Sequence, residues 1–256
     1  MIPKTIHWCW FGRGKKSALV EKCVASWRKF LPEWTIKEWN EDNFDIHCNK
    51  YVEEAYQNKK WAFVTDYVRV YALYHEGGVY MDSDVEVLKP LDCFLSLPAF
   101  SGRDSINGSL TGTMGSERGG RWVKDLLDDY KDRHFVKDDG TLDLTTNVAY
   151  CDNIMIPLGL KLEDEEFEVP GYVKLFKQEV FCPKSFKDRS YAVTDNSYTI
   201  HHFATSWQPL RYRIDIWLRE HLGHFAARII MGLWDRPDKV VARMLRFLKR
   251  SLKNGR

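Results

Sequence analysis

The sequence predicts an α/β fold, in which helices alternate with the strands of an open and largely parallel sheet. Its first part alternates strand-like and helix-like segments, and this β-α-β-α order is typical of such sheets. A strongly apolar helix pattern over residues 61–76 then leads through two glycines into a short strand that ends at Asp82 and Asp84. With 256 residues, of which 44% are hydrophobic, the chain is long enough for one large domain with a sizeable core.

The first strand is predicted over residues 2–11, which are rich in β-branched and aromatic residues and end at a glycine turn, Gly12-Arg13-Gly14. Trp8 and Trp10 share one face of this strand because side chains alternate. The carboxyl edge of the sheet is where α/β folds place nucleotides. Each tryptophan therefore either stacks on a nucleotide base or lies in the core.

Three further elements complete the alternating pattern. Apolar residues recur at helical spacing over residues 16–31, and Pro32 ends that helix. Residues 34–39 alternate as a strand, and a second helix is predicted near residues 49–58.

The helix over residues 61–76 is apolar on all sides, which predicts that it is buried. Asp66 and Arg69 lie three positions apart on one face of this helix. Because buried charges need partners, the two residues either form an ion pair within the core or line a polar pocket. The pocket is favoured because the next element brings Asp82 and Asp84.

Asp82 and Asp84 leave the same face of an extended strand, since they stand two positions apart. Carboxylate oxygens suit a hard cation such as Mg²⁺ or Mn²⁺, which can in turn hold a diphosphate. By composition alone, roughly half an Asp-x-Asp is expected in a chain of this length. The motif therefore indicates a metal site only in combination with its neighbours.

The middle of the chain carries weaker signals. Residues 101–120 are rich in Gly, Ser and Thr, which is typical of short strands and loops at the rim of a site. Helices are predicted over residues 121–134 and from Thr145-Thr146-Asn147 to about Ile156, and loosely alternating strands over residues 171–182.

A strand that begins at Tyr198 ends in two histidines, His201 and His202. Imidazole is an acceptable ligand for Mn²⁺, so either histidine could be a third metal ligand. The alternative is an ordinary core histidine. Because neighbouring strand residues face opposite ways, only one of them can reach the pocket.

The chain is predicted to be helical from residue 210 onwards. Residues 236–256 carry eight Lys and Arg against one Asp, and residues 239–253 form a basic amphipathic helix pattern. This pattern favours a membrane interface. Packing on the body of the protein or on a partner is the alternative, and we expect no nucleic-acid partner.

The sequence indicates a cytoplasmic protein at the inner face of a membrane. Its six cysteines are scattered without a C-x-x-C pair, and neither a signal peptide nor a membrane span is evident.

Three ordered blocks of the sequence resemble glycosyltransferase family 32. They are Ile2-Pro-Lys-Thr-Ile-His-Trp-Cys-Trp-Phe-Gly12, Trp61-Ala-Phe-Val-Thr-Asp-Tyr-Val-Arg69, and Leu73-Tyr-x-x-Gly-Gly-Val-Tyr-x-Asp-x-Asp84. This family includes bacterial capsule and exopolysaccharide transferases and yeast mannosyltransferases, and its DxD region is similar to the catalytic domain of the clostridial glucosylating toxins. The resemblance is close over residues 1–95, loose over 96–197, and returns at His201-His202 and Ser206-Trp207.

The resemblance implies a GT-A fold, a Rossmann-like mixed sheet flanked by helices over residues 1–209, with the donor-binding half at about 1–95 and a helical extension over 210–256. It also implies a retaining transferase that uses Mn²⁺ or Mg²⁺ and a nucleotide-sugar donor. UDP is the expected nucleotide, and no residue excludes GDP. The implied acceptor is a glycan or a lipid-linked saccharide in surface polysaccharide synthesis.

Residue roles follow from the same resemblance. Asp84 would bind the metal directly and Asp82 the ribose and sugar, directly or through water, with a part in the metal site, while Arg69 would help to stabilise the leaving phosphate. The remaining donor-binding candidates are Trp8, Trp10, Asp66, Tyr80, Ser83, Ser206 and Trp207.

Two other functions fit parts of the sequence. Val79-Tyr-Met-Asp82-Ser-Asp84-Val85 also fits the motif of haloacid-dehalogenase-like phosphohydrolases, with Asp82 as the nucleophile. That motif normally lies on the first strand, whereas about 80 residues precede it in this chain. A non-catalytic module that binds membranes through the basic helix is the other alternative, and it leaves the buried charges unexplained.

Overall fold

A computed structural model of the chain describes residues 1–104, 108–186, 189–204, 210–234 and 246. The chain divides into two compact units, Met1–Phe203 and Ala204–Arg256. The boundary predicted between residues 209 and 210 lies slightly later in the chain.

The first unit contains nine strands and six helices among its described residues. The strands are β1 (Thr5–Cys9), β2 (Thr35–Trp39), β3 (Gly78–Met81), β4 (Val85–Val87), β5 (Ala99–Gly102), β6 (Thr113–Ser116), β7 (Phe167–Val169), β8 (Val173–Phe176) and β9 (Thr199–His201). The helices are α1 (Ala18–Phe30), α2 (Lys50–Gln57), α3 (Trp61–Glu76), α4 (Arg121–Asp128), α5 (Asn147–Met155) and α6 (Gln178–Phe181). The predicted succession of the first six elements is therefore confirmed, with boundaries that shift by a few residues.

Seven strands form the main sheet in the order β2-β1-β3-β6-β5-β8-β7, and β4 pairs with β9 in a separate two-stranded sheet. β1 runs parallel to both β2 and β3. β6 is antiparallel to both β3 and β5, whereas β5 and β8 are parallel, so the sheet is mixed rather than largely parallel.

The core lies on both faces of this sheet. Alternate side chains of β3 point to opposite faces of the sheet. Tyr80 therefore packs into one buried cluster, and Val79 and Met81 pack into the other. Helices α2, α3, α4 and α5 cover the first face and α1 covers the second. This arrangement confirms the predicted class, an α/β protein whose mixed sheet is flanked by helices.

Two predicted elements are shorter than the sequence pattern suggests. The helix expected over residues 121–134 ends at Asp128. The strands expected over residues 171–182 comprise β8 and then the short helix α6, because Phe181 turns inward to pack on Phe100.

The second unit contains helix α7 (Leu210–Trp234), which is interrupted at Gly223, where φ is 79°. Buried residues from both sides of this interruption form one small cluster: Ile214, Leu218, Ala227 and Met231. The basic helix predicted over residues 239–253 lies outside the described residues, except for Arg246. Within the described ranges, no helix has both the length and the apolar character needed to cross a membrane.

Candidate active site

Two glycines make the turn from α3 into β3 possible. Gly77 and Gly78 have φ values of 67° and 115°, which favour glycine. A Cβ atom at Gly77 would lie 2.6 Å from the Arg118 backbone nitrogen, and one at Gly78 would lie 2.6 Å from the Thr5 carbonyl oxygen. The buried helix can therefore lead directly into the central strand that precedes the two aspartates.

Asp82, Asp84 and His201 come together at the carboxyl end of β3. The Asp82 backbone nitrogen donates to the Gly112 carbonyl oxygen (2.9 Å), and β9 pairs His201 with Val85. His201 Nε2 lies 3.3 Å from Asp84 Oδ1 and 3.8 Å from Asp82 Oδ2. Within the described ranges, these three residues are the one group of His, Cys, Asp or Glu side chains whose ligand atoms all lie within 4.8 Å of one another.

The electrostatics of this cluster favour a cation. Burial lowers the pKa of His201, but the carboxylates of Asp84 and Asp82 outweigh this effect, so the pKa is raised overall. His201 Nδ1 is buried and makes no hydrogen bond within the described part of the chain. Two carboxylates and one imidazole are a donor set that suits Mn²⁺, so the residues present fit the predicted metal.

Arg69 connects the buried helix α3 to the aspartates. Its guanidinium lies 2.8 Å from Asp66 Oδ1 and 3.3 Å from Asp82 Oδ1, and it donates to the Thr111 carbonyl oxygen (2.5 Å). The Tyr80 hydroxyl donates to the same Asp82 oxygen (2.8 Å). The two interpretations of Asp66 and Arg69 are therefore compatible, because the ion pair exists and lies against Asp82.

Asp66 is almost fully buried, with 8% of its surface exposed. Burial raises the pKa of Asp66 to about 7, with a contribution from the Asp82 carboxylate, although Arg69 opposes this shift. The pKa of Arg69 is raised, because the surrounding carboxylates outweigh its burial. The guanidinium is thus a fixed positive charge beside the aspartates.

His202 points away from the aspartates. Its Nε2 atom lies 2.8 Å from Glu86 Oε2, and Glu86 also pairs with Lys22 (2.7 Å). Of the two candidate histidines, the structure therefore brings only His201 to the aspartates, as the alternation along β9 requires.

The two candidate tryptophans have different surroundings. Trp8 is 4% exposed and packs edge-on against Trp27, with ring centroids 5.7 Å apart, so it lies in the core. Trp10 is partly exposed and its Nε1 donates to the Gly14 carbonyl oxygen (2.7 Å). Because β1 and β3 are parallel neighbours, Trp10 and the partly exposed Ser83 follow strands that end at the same edge of the sheet.

The segment that contains Ser206 and Trp207 lies outside the described residues. Their role in donor binding therefore stays a prediction.

The start of α5 contributes a residue that the sequence pattern does not single out as part of a site. Asn147 and Tyr150 line a small cavity together with Asp66, Arg69 and Thr111. Asn147 Oδ1 accepts a hydrogen bond from Thr111 Oγ1 (3.0 Å), while its Nδ2 is buried and makes none within the described residues. In the sequence, Asn147 is marked only by its place in a helix-capping cluster.

One protein family matches a segment of the chain that contains the two aspartates. Residues 17–103 match the profile described as "Glycosyltransferase sugar-binding region containing DXD motif". The match covers about a third of the chain and includes α1, α3, Asp82 and Asp84.

Two curated proteins are similar to a little under half of the chain. One is "Inositol phosphoceramide mannosyltransferase 3" of Schizosaccharomyces pombe, which is 28% identical over 129 residues, 46% of this chain and 34% of that protein. The other is "Mannosyl phosphorylinositol ceramide synthase CSH1" of Saccharomyces cerevisiae, which is 27% identical over 123 residues, 45% of this chain and 32% of that protein. The chain thus spans about a third of the length of these relatives.

Solved structures of glycosyltransferases also superpose on the chain. "PaToxG Glycosyltransferase" matches with a TM-score of 0.44 and 14% identity, covering 61% of this chain and 70% of that one. A glycosyltransferase "involved in the glycosylation of the major capsid of PBCV-1" matches with a TM-score of 0.45 and 10% identity, covering 78% and 94%. On the sequence match alone, the chain carries, over residues 17–103, a region similar to glycosyltransferase sugar-binding regions, with Asp82-Ser83-Asp84 as its DXD motif.

Proposed function

We propose that the protein is a metal-dependent, retaining glycosyltransferase of the GT-A type that uses a nucleotide-sugar donor. One observation carries this proposal: Asp82, Asp84 and His201 converge beside the fixed charge of Arg69, and the two aspartates and Arg69 belong to a segment similar to the DXD region of glycosyltransferases. The cluster offers ligands for a cation, and the guanidinium offers a second positive charge.

The contacts support distinct roles for the two aspartates. Arg69 and Tyr80 both contact Asp82 Oδ1 and fix that carboxylate, while Asp84 faces His201. Asp84 and His201 would hold Mn²⁺ or Mg²⁺, with Asp82 at the side of the donor. When bound, the cation supplies positive charge that stabilises a leaving diphosphate.

Arg69 would stabilise the same negative charge from the protein side. It is held by Asp66 and by the Thr111 carbonyl oxygen, so it costs little reorganisation during the reaction. Retention would follow from attack on the same face, with the leaving phosphate as the base.

The proposal names the donor and the acceptor by chemical class. UDP is the proposed nucleotide by resemblance, with GDP as the alternative. The names of both curated relatives refer to mannosyl transfer and to inositol-containing ceramides. These names favour a lipid-linked acceptor for this chain over a free glycan. They also favour testing a mannosyl donor.

Peripheral membrane contact is also proposed, through the second unit. Residues 210–256 carry twelve Lys and Arg against four Asp and Glu. Near Gly223, α7 exposes three large apolar side chains: Leu222, Phe225 and Ile229. Exposed apolar side chains in a segment rich in basic residues suit the interface of an anionic membrane, where the proposed lipid-linked acceptor would be found.

A donor-hydrolysis screen tests the proposed activity. The purified chain is incubated with UDP- and GDP-sugars, with and without Mn²⁺, and release of the nucleotide is measured. We expect one donor to be hydrolysed slowly, only with the metal, and more than about 100-fold more slowly by Asp84→Asn. The surface variant Asp128→Asn, which removes a carboxylate on α4, should keep the wild-type rate.

Two outcomes would contradict the proposal. Full metal-dependent hydrolysis by Asp84→Asn would exclude the assigned site. Turnover of a generic aryl phosphate that depends on Asp82 would instead favour the phosphohydrolase alternative.

A further inference from the structure

A second cleft of about 620 Å³ lies along the face of the sheet that α3 covers. Lys37 and Trp39 of β2 line it together with Tyr71, His75 and Glu76 from the last turns of α3, and Arg118 follows β6. The volume falls within the range of small-molecule sites, roughly 300–1,000 Å³. Asp66 and Arg69 precede these residues in the same helix and do not line this cleft.

Several polar groups in this cleft are free to take a ligand. The Arg118 guanidinium, the His75 ring and the Tyr71 hydroxyl make no hydrogen bond or ion pair with any described residue. Arg118 and His75 are exposed and Tyr71 is partly exposed. Three donors therefore line one depression without a protein partner.

The other charged groups leave the cleft with excess positive charge. Lys37 Nζ lies 2.6 Å from Glu76 Oε1 and 4.0 Å above the Trp39 ring, so both contacts hold its position. Glu76 compensates Lys37, and nothing in the described residues compensates Arg118. An anionic group is the ligand chemistry that this arrangement favours, since a guanidinium binds carboxylate or phosphate in bidentate fashion.

Aromatic rings form the adjoining wall. The rings of Tyr71 and His75 have centroids 4.3 Å apart and are tilted by 46°. Amphipathic rings beside charged hydrogen-bonding groups suit a ligand with both an apolar face and hydroxyls. A sugar ring has this character, and Glu76 would accept hydrogen bonds from its hydroxyls.

We infer that this cleft binds an anionic sugar, one that carries a carboxylate or a phosphate, with Arg118 as the partner of the anion. The inference rests on the proposed function in one respect, because the sugar would be a unit of the acceptor held away from the transfer site. Binding itself does not depend on catalysis, so it can be measured without donor or metal.

Ligand-observed NMR on the full chain, in the absence of metal, tests this inference. Glucuronic acid and glucose 6-phosphate represent the carboxylate and the phosphate forms, and glucose and inorganic phosphate are the matched controls. We expect at least one anionic sugar to bind at least about tenfold more tightly than either control. If glucose binds equally well, the role of the anion is wrong; if phosphate alone binds equally well, the role of the sugar is wrong.

Variants locate the binding site. Arg118→Ala should weaken binding of the anionic sugar by at least about tenfold, Arg118→Lys should weaken it less, and Tyr71→Phe should weaken it while leaving ring packing intact. Arg28→Ala removes an exposed arginine of α1 and should change nothing. Unchanged binding in Arg118→Ala would overturn the assignment.

The same variants separate this inference from the proposed activity. Arg118→Ala should hydrolyse the donor at the wild-type rate, because Arg118 does not line the aspartate site. If no anionic sugar binds while metal-dependent hydrolysis is present, the cleft inference alone is wrong. If binding is present and hydrolysis is absent for every donor, the cleft binds its sugar but the proposed function is wrong.

Discussion

Asp82 and Asp84 stand two positions apart and look equivalent in the sequence, yet their side chains have different partners. Asp82 accepts a hydrogen bond from Tyr80 and lies beside Arg69, so positive charge and a hydroxyl already compensate it. Asp84 lies closer to His201 than Asp82 does. The contacts therefore favour Asp84 as the stronger metal ligand.

His201 and His202 provide a matched test at this scale. Replacing His201 with Asn should weaken Mn²⁺ binding by about tenfold or more. Removing even a residue that only hydrogen-bonds to a metal ligand typically lowers metal affinity by about 10–100-fold. The same change at His202 should have little effect, because that ring faces Glu86. Isothermal titration with Mn²⁺ measures both affinities, and equal losses in the two variants would refute the placement of the metal.

At the scale of elements, the loop before β6 passes close to the aspartate site. A Cβ atom at Gly112 would lie 2.9 Å from His201 Nδ1 and 3.0 Å from Asp82 Oδ2. The loop can pass behind these ligands only because this position has no side chain.

Gly112→Ala should therefore lower metal affinity and donor hydrolysis by about tenfold or more while the protein stays folded. The added methyl group must displace His201 or Asp82, and both belong to the cluster. Gly232→Ala is the control, because its Cβ would meet no atom within 4 Å. Circular dichroism checks the fold, and a fully active Gly112→Ala variant would show that the loop is not part of the site.

The fully buried His7 of β1 links β2 to the end of α3 through two hydrogen bonds. Its Nδ1 accepts from Trp39 Nε1 (3.1 Å), which leaves Nε2–H to donate to the Gly77 carbonyl oxygen (2.8 Å). Burial lowers the pKa of His7, despite the hydrogen bond to Gly77. The folded protein therefore keeps His7 neutral at a pH where the unfolded chain already binds a proton.

The contribution of His7 to the free energy of unfolding should fall as pH falls below about 6.5, the pKa of an unfolded histidine. The slope from this residue is at most about 1.4 kcal/mol per pH unit, until the lowered pKa of the folded state is reached. Above pH 6.5 its contribution is complete. Urea unfolding at pH 7.5 and 5.5 measures this contribution as the difference between the wild type and His7→Gln, which should be larger at pH 7.5. His47→Gln, a change at an exposed position, should keep the pH dependence of the wild type.

The elements that the sequence predicts well are those with strong periodicity and clear stop signals. The helix ending at Gly77 is found at the predicted residues, and the succession of the first six elements is as expected, because apolar spacing and glycine turns are local signals. The antiparallel pairing of β3 with β6 was not predictable, since it depends on contacts between residues about 35 positions apart.

The site was predictable only in part for the same reason. The proximity of Asp66, Arg69, Asp82 and Asp84 follows from one helix leading into one strand. Sequence could not decide between His201 and His202, because the choice depends on which face of β9 lies against β4. Asn147 carried no functional signal, since its contact with Thr111 joins the start of α5 to a loop that is distant in the sequence.

On the scale of the whole molecule, the charge and the exposed apolar side chains of the second unit lead to a prediction about membranes. The full chain should sediment with vesicles that contain anionic phospholipid, and should do so less at high salt. Phe225, with 80% of its surface exposed, should contribute through burial in the interface.

Phe225→Ser should weaken vesicle binding by about tenfold, since burying a phenylalanine contributes roughly 1.5–3 kcal/mol. Leu158→Ser is the control, because it removes an exposed apolar side chain from the first unit. Equal binding by both variants and the wild type would show that the exposed side chains of α7 do not contact the membrane.

The pairing of β4 with β9 has a consequence for the order in which the molecule is made. Positions 86 and 202, which flank the aspartates and His201, are separated by 116 positions along the chain. A ribosome that has released the two aspartates has not yet made the histidine, so the cluster stays incomplete through most of the synthesis of the first unit. The proposed metal centre is thus assembled late, after nearly all of the first unit has been synthesised.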